Sequence, residues 1–211
     1  MTKIKICGVT NEKDAMWAAS FGVDYIGFNF YKKSPRKVSC EMALKIVSLL
    51  PLFIRTVGIF VDDEIKVIKR TVSKCGIKTV QLHGGESADY CRSLKESLPG
   101  TEVIKAFRIK DETSLDTIPQ YAAADYYLLD TYVPGIEGGT GEVFNWDMAV
   151  KAGDFGKPIF LAGGIKPSNV IEAIEKVKPF CIDVASGIEK TPRRKDFNMM
   201  HELVNKVRSI K

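Results

Sequence analysis

Eight short apolar runs, each followed by a stretch with helical periodicity, constrain this chain more than any other feature. The runs are residues 3–7, 25–30, 54–61, 79–83, 102–108, 126–130, 158–163 and 181–185. Between them, apolar residues recur at helical spacing: Ala15, Ala18, Ala19 and Gly22; Met42, Ile46, Leu49 and Leu50; Ile65, Ile68 and Val72. The same pattern returns in Tyr90-Cys91-Leu94, Val170-Ile171-Ile174-Val177 and Leu203-Val204-Val207. Ser39 is placed to cap the second helix, Asp62 or Asp63 the third, with Gly76 ending it, and Pro167 sits where a first helical residue belongs. Residues 110–125 carry the weakest helical pattern, interrupted at Pro119.

Strands that alternate with helices build parallel sheets covered by helices. Eight units of about 26 residues suffice for a closed (β/α)8 (TIM) barrel. An open doubly wound sheet competes, but no GxGxxG with a following acidic residue supports it. No linker or low-complexity tract divides the chain, so residues 1–211 read as a single barrel domain. The composition, 45% apolar and 27% charged, is that of an ordinary globular protein. No run of about 18 apolar residues suggests a membrane span, and the start lacks a signal-peptide core. The five cysteines (7, 40, 75, 91 and 181) are widely spaced without a CxxC pair. They read as a reducing cytoplasm without structural zinc, four of them as packing. With two histidines and no clustered carboxylates, no metal is expected. The net charge of +5 suits an anionic partner; the basic residues lack aromatic interleaving, against nucleic acid.

Strand alternation assigns the side chains that face the barrel axis. Ile4 and Ile6 face the helices, which turns Lys5 and Cys7 inward. The same parity points Gln81, His83, Leu128, Asp130 and Asp183 inward. Polar inward residues at the carboxyl ends of strands are where a barrel keeps its chemistry. Cys7 is the one cysteine so placed; buried cysteines are usually inert, but a thiolate there can act as a base, and Lys5 can lower its pKa. Asp130 ends a very apolar strand, which raises a carboxyl pKa and suits a general acid, although a capping carboxylate would look the same. Arg36 follows the second strand and can clamp a carboxylate with paired hydrogen bonds. His83 reads as a supporting or structural residue rather than a base; with Asp183 it joins Arg36 as a substrate-binding candidate. Gly163-Gly164 and Ser186-Gly187, after the last two strands, expose backbone amides to an anion where barrels often hold phosphate, though glycines also serve plain tight turns. Gly141, in the glycine-rich segment 137–141, joins them as a phosphate-binding candidate, and that segment can act as a lid.

These residues fall within longer blocks. Lys5-Ile6-Cys7-Gly8-Val9-Thr10, Gly27-Phe28-Asn29-Phe30 through Ser34-Pro35-Arg36, and Gln81-Leu82-His83-Gly84 are followed by Leu128-Leu129-Asp130-Thr131. Later blocks are Gly138-Gly139-Thr140-Gly141 with Phe144-Asn145-Trp146, Leu161-Ala162-Gly163-Gly164-Ile165, and Asp183 to Glu189 with Lys195-Asp196. In that order they resemble the phosphoribosylanthranilate isomerases of tryptophan biosynthesis over nearly the full chain. The resemblance implies a cofactor-free barrel enzyme, an intramolecular oxidoreductase of the aldose–ketose type. Its reaction is the Amadori rearrangement of N-(5-phosphoribosyl)anthranilate to 1-(2-carboxyphenylamino)-1-deoxyribulose 5-phosphate. By resemblance the base falls on Cys7, the acid on Asp130 and the carboxylate-binding arginine on Arg36. Three positions depart from the pattern: Ala185 for a common serine, Asn145 for an aspartate, and Arg193 for a frequent glycine. The expected partner is a small phosphorylated anion, with no nucleic acid or membrane, and a monomer rather than a dimer. Indole-glycerol-phosphate synthase, a sugar-phosphate epimerase and a non-catalytic phosphate-ligand binder are the alternatives. The synthase wants inward lysine and glutamate pairs and the epimerase metal ligands, neither of which is evident.

Overall fold

The computed structural model describes residues 1–131 and 145–210. Gly141, the candidate lid and Phe144 lie outside them. Eight parallel strands close in sequence order: β1 (Lys3–Ile6), β2 (Tyr25–Asn29), β3 (Arg55–Phe60), β4 (Thr79–Leu82), β5 (Glu102–Ile109), β6 (Tyr126–Thr131), β7 (Ile159–Leu161) and β8 (Cys181–Val184). The first and last strands seal the barrel in a register that sets Lys5 beside Asp183. Helices α1 (Glu12–Ser20), α2 (Cys40–Val47), α3 (Ile65–Cys75) and α4 (Ala88–Ser97) follow the first four strands. Helices α5 (Trp146–Gly153), α6 (Val170–Val177) and α7 (Phe197–Ser209) complete the outer ring. After β5 there is no α-helix but two 3-10 turns, Glu112–Leu115 and Ile118–Tyr121, divided where Pro119 limits helical bonding. A hairpin, β9 (Glu189–Thr191) with β10 (Arg194–Lys195), lies between β8 and α7.

Inward and outward residues separate as alternation requires. Ile4, Ile6, Val80, Leu82, Tyr127, Leu129, Ile182 and Val184 pack in the large core under the helices. Tyr25, Val57, Ile104, Ala106, Leu128, Phe160 and Cys181 form a second cluster within the barrel. At the amino-terminal end of the strands, Tyr25, Tyr126, Phe160 and Phe180 pack as an aromatic floor. An Arg55–Glu102 ion pair and the Tyr126 hydroxyl, donating to Glu102 at 3.1 Å, cover that floor.

Caps explain most helix starts. Asn11, Ser39, Ser87, Asn145 and Asp196 each accept from an amide of the first turn, a bond whose loss typically costs about 1 kcal/mol. Asn145 therefore does the capping work an aspartate would do. Two expectations are corrected. Glu64, not Asp62 or Asp63, occupies the start of α3 and makes no side-chain cap, because Asp62 turns away to accept from the Gly85 amide at 2.7 Å. Pro167 precedes its helix by a turn: Asn169 closes residues 164–169 by accepting from the Lys166 amide and donating to the Gly164 carbonyl, and α6 begins at Val170. Gly76 ends α3 in the left-handed region at φ 67°.

The cysteines also need correction. Cys40 and Cys75 are not separate packing residues but a disulfide, joining the start of α2 to the end of α3, with Cα atoms 5.6 Å apart. Cys7, Cys91 and Cys181 are free thiols. A bridge closing 35 residues restricts the unfolded chain enough to stabilise by about 2–4 kcal/mol. The Cys40→Ser/Cys75→Ser double variant should lose that amount in urea melts while keeping the far-UV circular dichroism of wild type. Identical melts for wild type and double variant would show that the bridge contributes nothing.

Candidate active site

The carboxyl ends of the strands surround one pocket, lined by Cys7, Gly8, Asn29, Arg36, Gln81, His83, Asp130, Gly163, Gly164, Asp183, Ser186 and Gly187 among others. All the sequence-derived site candidates within the described residues line it. At its base is a buried ammonium. Lys5 Nζ donates to Gln81 Oε1 at 2.7 Å, to Asp183 Oδ2 at 2.9 Å and to Cys7 Sγ at 3.6 Å. Burial works to lower the Lys5 pKa, but Asp183 and the neighbouring sulfur outweigh it and the net direction is upward.

Cys7 is partly exposed toward the pocket and otherwise enclosed by protein. Burial, then the Asp183 carboxylate, push its thiol up from the usual value, against the pull of Lys5, Lys195 and Arg36. Lys5 does pull the thiol down, as expected, but burial and Asp183 outweigh it and the net direction is upward. Room for the sulfur comes from Gly27 on the neighbouring strand, where an added Cβ would stand 3.1 Å from Cys7 Sγ. Asp183 uses Oδ2 on Lys5, while its Oδ1 is buried with no hydrogen-bond partner among the described residues.

Asp130 is buried at the end of β6. Its Oδ1 accepts from the Thr131 amide at 2.9 Å, and its Oδ2 lies 3.4 Å from His83 Nε2. Its surroundings are thus more polar than the apolar strand suggests. Gly163, at φ 78°, packs against Thr131 and Asp130 so closely that any Cβ would collide with them. Behind His83, Glu86 gathers the amides of Asp62 and Gly84 and the Lys105 ammonium, holding the end of β4 in place.

Arg36 follows β2 and grips a carboxylate from within the chain. Its Nε and Nη2 form a fork on Glu189, at 3.0 and 2.7 Å. Gly8 at φ 70° makes way for it: a Cβ there would come within 2.5 Å of Arg36 Cδ. Glu189 also pairs with Lys195 at 3.0 Å, and Lys195 Nζ donates to the carbonyls of Cys7 (2.7 Å) and Ala185 (2.9 Å). One buried ammonium thus ties the Cys7 loop, the turn after β8 and the arginine's partner together. It is the Ala185 backbone that is used there, so a missing serine hydroxyl leaves this tie intact. Arg193 stands at φ 75°, the left-handed conformation that explains why glycine suits that position. The turns after β7 and β8 interlock, since a Cβ on Gly187 would run into the Ile165 carbonyl.

Gln81, Glu189 and Lys195 form the site's framework without having been picked out from the sequence as site residues. Gln81 carried a usable signal, its inward parity; the other two lie on a short hairpin, where no periodicity marks an inward side chain.

Fold and pocket together define the class: a (β/α)8-barrel enzyme with its site at the carboxyl ends of the strands. A family model described as N-(5'phosphoribosyl)anthranilate (PRA) isomerase matches residues 4–206, and the chain belongs to that family. An N-(5'-phosphoribosyl)anthranilate isomerase of Geotalea uraniireducens is 47% identical over 210 residues, covering 100% of both chains. The chain also superposes on a crystal structure of monomers generated from the dimeric Thermotoga maritima isomerase, with a TM-score of 0.89, 34% identity and 100% of both chains covered. A third relative is a phosphoribosyl anthranilate isomerase in complex with reduced 1-(o-carboxyphenylamino)-1-deoxyribulose 5-phosphate, with a TM-score of 0.89, 35% identity and 100% of both chains covered.

Two titrations follow. Arg36 and Lys195 hold the Glu189 carboxyl below its usual range although burial opposes them. Its contribution to stability is therefore complete above the unfolded-state pKa and disappears as pH falls through the lower folded-state value. Urea melts from about pH 5 down to about pH 3 should show this loss in wild type, and Glu189→Gln should lack it. For Cys7, iodoacetamide should react more slowly at neutral pH than with a free cysteine, accelerating only above the ordinary thiol pKa of about 8.5. Asp183→Asn should accelerate alkylation at neutral pH, by removing one of the charges that disfavour the thiolate.

Proposed function

We propose that this chain rearranges N-(5-phosphoribosyl)anthranilate to 1-(2-carboxyphenylamino)-1-deoxyribulose 5-phosphate, the aldose–ketose isomerisation of tryptophan biosynthesis. The observation that carries the residue assignment is the placement of a thiol, Cys7, and a carboxyl, Asp130, on different strands lining one pocket. In this reading Asp130, protonated, donates to the ribose ring oxygen; the ring opens to an iminium ion and Asp130 is left as a carboxylate. The positive charge acidifies the C2 proton, which the Cys7 thiolate removes to give an enolamine that tautomerises to the ketose. Lys5, 3.6 Å from the sulfur, stabilises the thiolate. A thiolate whose conjugate acid is weak is also a strong proton acceptor, at the expense of its population at neutral pH.

The remaining candidates divide the substrate among them. The amides of Gly163, Gly164, Ser186 and Gly187 face the phosphate. Arg36, its inner edge fixed by Glu189, presents its other edge to the anthranilate carboxylate. The unpartnered Oδ1 of Asp183 accepts from a sugar hydroxyl, and Gly141 belongs with the phosphate group. The reading includes a single barrel domain, in which the eight strands close on themselves, acting as a monomer in the cytoplasm. Sedimentation yielding one 23.4 kDa species at micromolar concentration would agree; a species of twice that mass would overturn the monomer.

The decay of substrate fluorescence tests the activity directly. Cys7→Ala and Asp130→Asn should each lower kcat by at least about 100-fold while retaining wild-type circular dichroism. Turnover near wild type in either variant would remove that residue from the acid/base pair, and wild-type binding without turnover would leave only a ligand-binding barrel.

A further inference from the structure

The base and acid are joined by an unbroken line of polar contacts beneath the pocket. It runs from Cys7 Sγ to Lys5 Nζ (3.6 Å), on to Gln81 Oε1 (2.7 Å), from Gln81 Nε2 to His83 Nδ1 (2.8 Å), and from His83 Nε2 to Asp130 Oδ2 (3.4 Å). Donor and acceptor roles along it follow from its first member. An ammonium has three protons and no acceptor, so the Gln81 atom facing Lys5 is the carbonyl oxygen. The Gln81 amine then faces His83 Nδ1 and donates. A nitrogen that accepts carries no proton, so neutral His83 has its proton on Nε2, the atom turned to Asp130.

We propose that Gln81 is a positioning residue of the isomerase reaction: held by the Lys5 ammonium, its amide keeps the proton of neutral His83 on Nε2, aimed at Asp130. The inference rests on the role of Asp130 given above. At 3.4 Å the His83–Asp130 contact is long for a closed hydrogen bond, as catalytic contacts in unliganded sites often are. Its value lies after proton donation, when Asp130 becomes a carboxylate and the Nε2–H is already oriented to donate to it. The opposite tautomer would present a lone pair to that carboxylate. Gln81 lines the pocket but is assigned no contact with the reacting atoms; it acts on Asp130 through His83 and is itself anchored by Lys5. The buried ion pair of Lys5 with Asp183 keeps the first link of the line in place.

The chain has two histidines, so 15N-histidine labelling, with His201→Gln for assignment, reads the His83 tautomer in wild type at a pH where the ring is neutral. The expected result is a proton on Nε2 and a bare Nδ1; a proton on Nδ1 overturns the proposal. In Gln81→Glu, one carboxylate oxygen still meets Lys5 while the other must receive a proton from Nδ1. The tautomer should switch and kcat should fall about ten- to a hundredfold, the effect of losing a hydrogen bond to a charged group, with a smaller change in KM. Loss of turnover with the tautomer unchanged would make Gln81 a packing residue and overturn the proposal. Should Gln81→Glu not fold, Gln81→Met, which has no donor, should yield a mixture of both tautomers; a pure Nε2–H form in that variant would also overturn it. Wild type that fails to turn over the substrate would instead refute the isomerase reading, because the tautomer measurement needs no turnover.

Discussion

The ammonium of Lys5, wholly buried on the axis of the barrel, is the constraint around which the site is arranged. An uncompensated charge in such a place costs several kcal/mol, so its partners have to be supplied by the fold. The β1–β8 register supplies Asp183. Strand β4 supplies Gln81, and the two-residue repeat of β1 sets Cys7 on the same face. The strand pairing that closes the barrel and the chemistry at its mouth are therefore one arrangement: a slip of one residue in β1 would turn the isoleucines inward and part the ammonium from Gln81 and Asp183, its two partners on other strands.

A second buried cation, Lys195, organises the rim as Lys5 organises the centre. It arrives late in the chain, on the short hairpin after β8, and draws the first β–α loop and the last one together through their carbonyls. Glu189 neutralises it and, with its remaining acceptor capacity, holds the inner edge of Arg36. The pocket's positive face is thus presented by residues whose own geometry is already satisfied internally, which limits the reorganisation needed when an anion enters.

Much of this was legible beforehand, and the reason is the period of two. Once β1, β4, β6 and β8 were recognised, alternation alone placed Lys5, Cys7, Gln81, His83, Asp130 and Asp183 inward. A helix, the weakest of the eight, was expected after β5; Pro119 marked its weakness but not its replacement by two 3-10 turns. What could not be read depends on contacts between distant segments. Glu189 and Lys195 occupy strands of three and two residues, too short for any pattern to indicate which way a side chain turns. The Cys40–Cys75 bridge requires that the start of one helix meet the end of the next, which spacing along the chain does not reveal. Asp62 looked like a helix cap but is taken by the Gly85 amide from a neighbouring loop. The rise in the Cys7 pKa is likewise a balance of enclosure and Asp183 against three cations, and no single residue type announces which side prevails.

The aromatic floor has a consequence for the traffic of protons. Tyr25, Tyr126, Phe160 and Phe180, with the Arg55–Glu102 pair, stop the barrel at its amino-terminal end, so the pocket is a cul-de-sac. With Cys7 as the proposed base, a proton taken from the substrate reaches bulk water through the mouth that the substrate itself fills. Isotope wash-out and product departure therefore share one doorway, and a hydrogen label removed from C2 exchanges with solvent only as fast as that doorway clears.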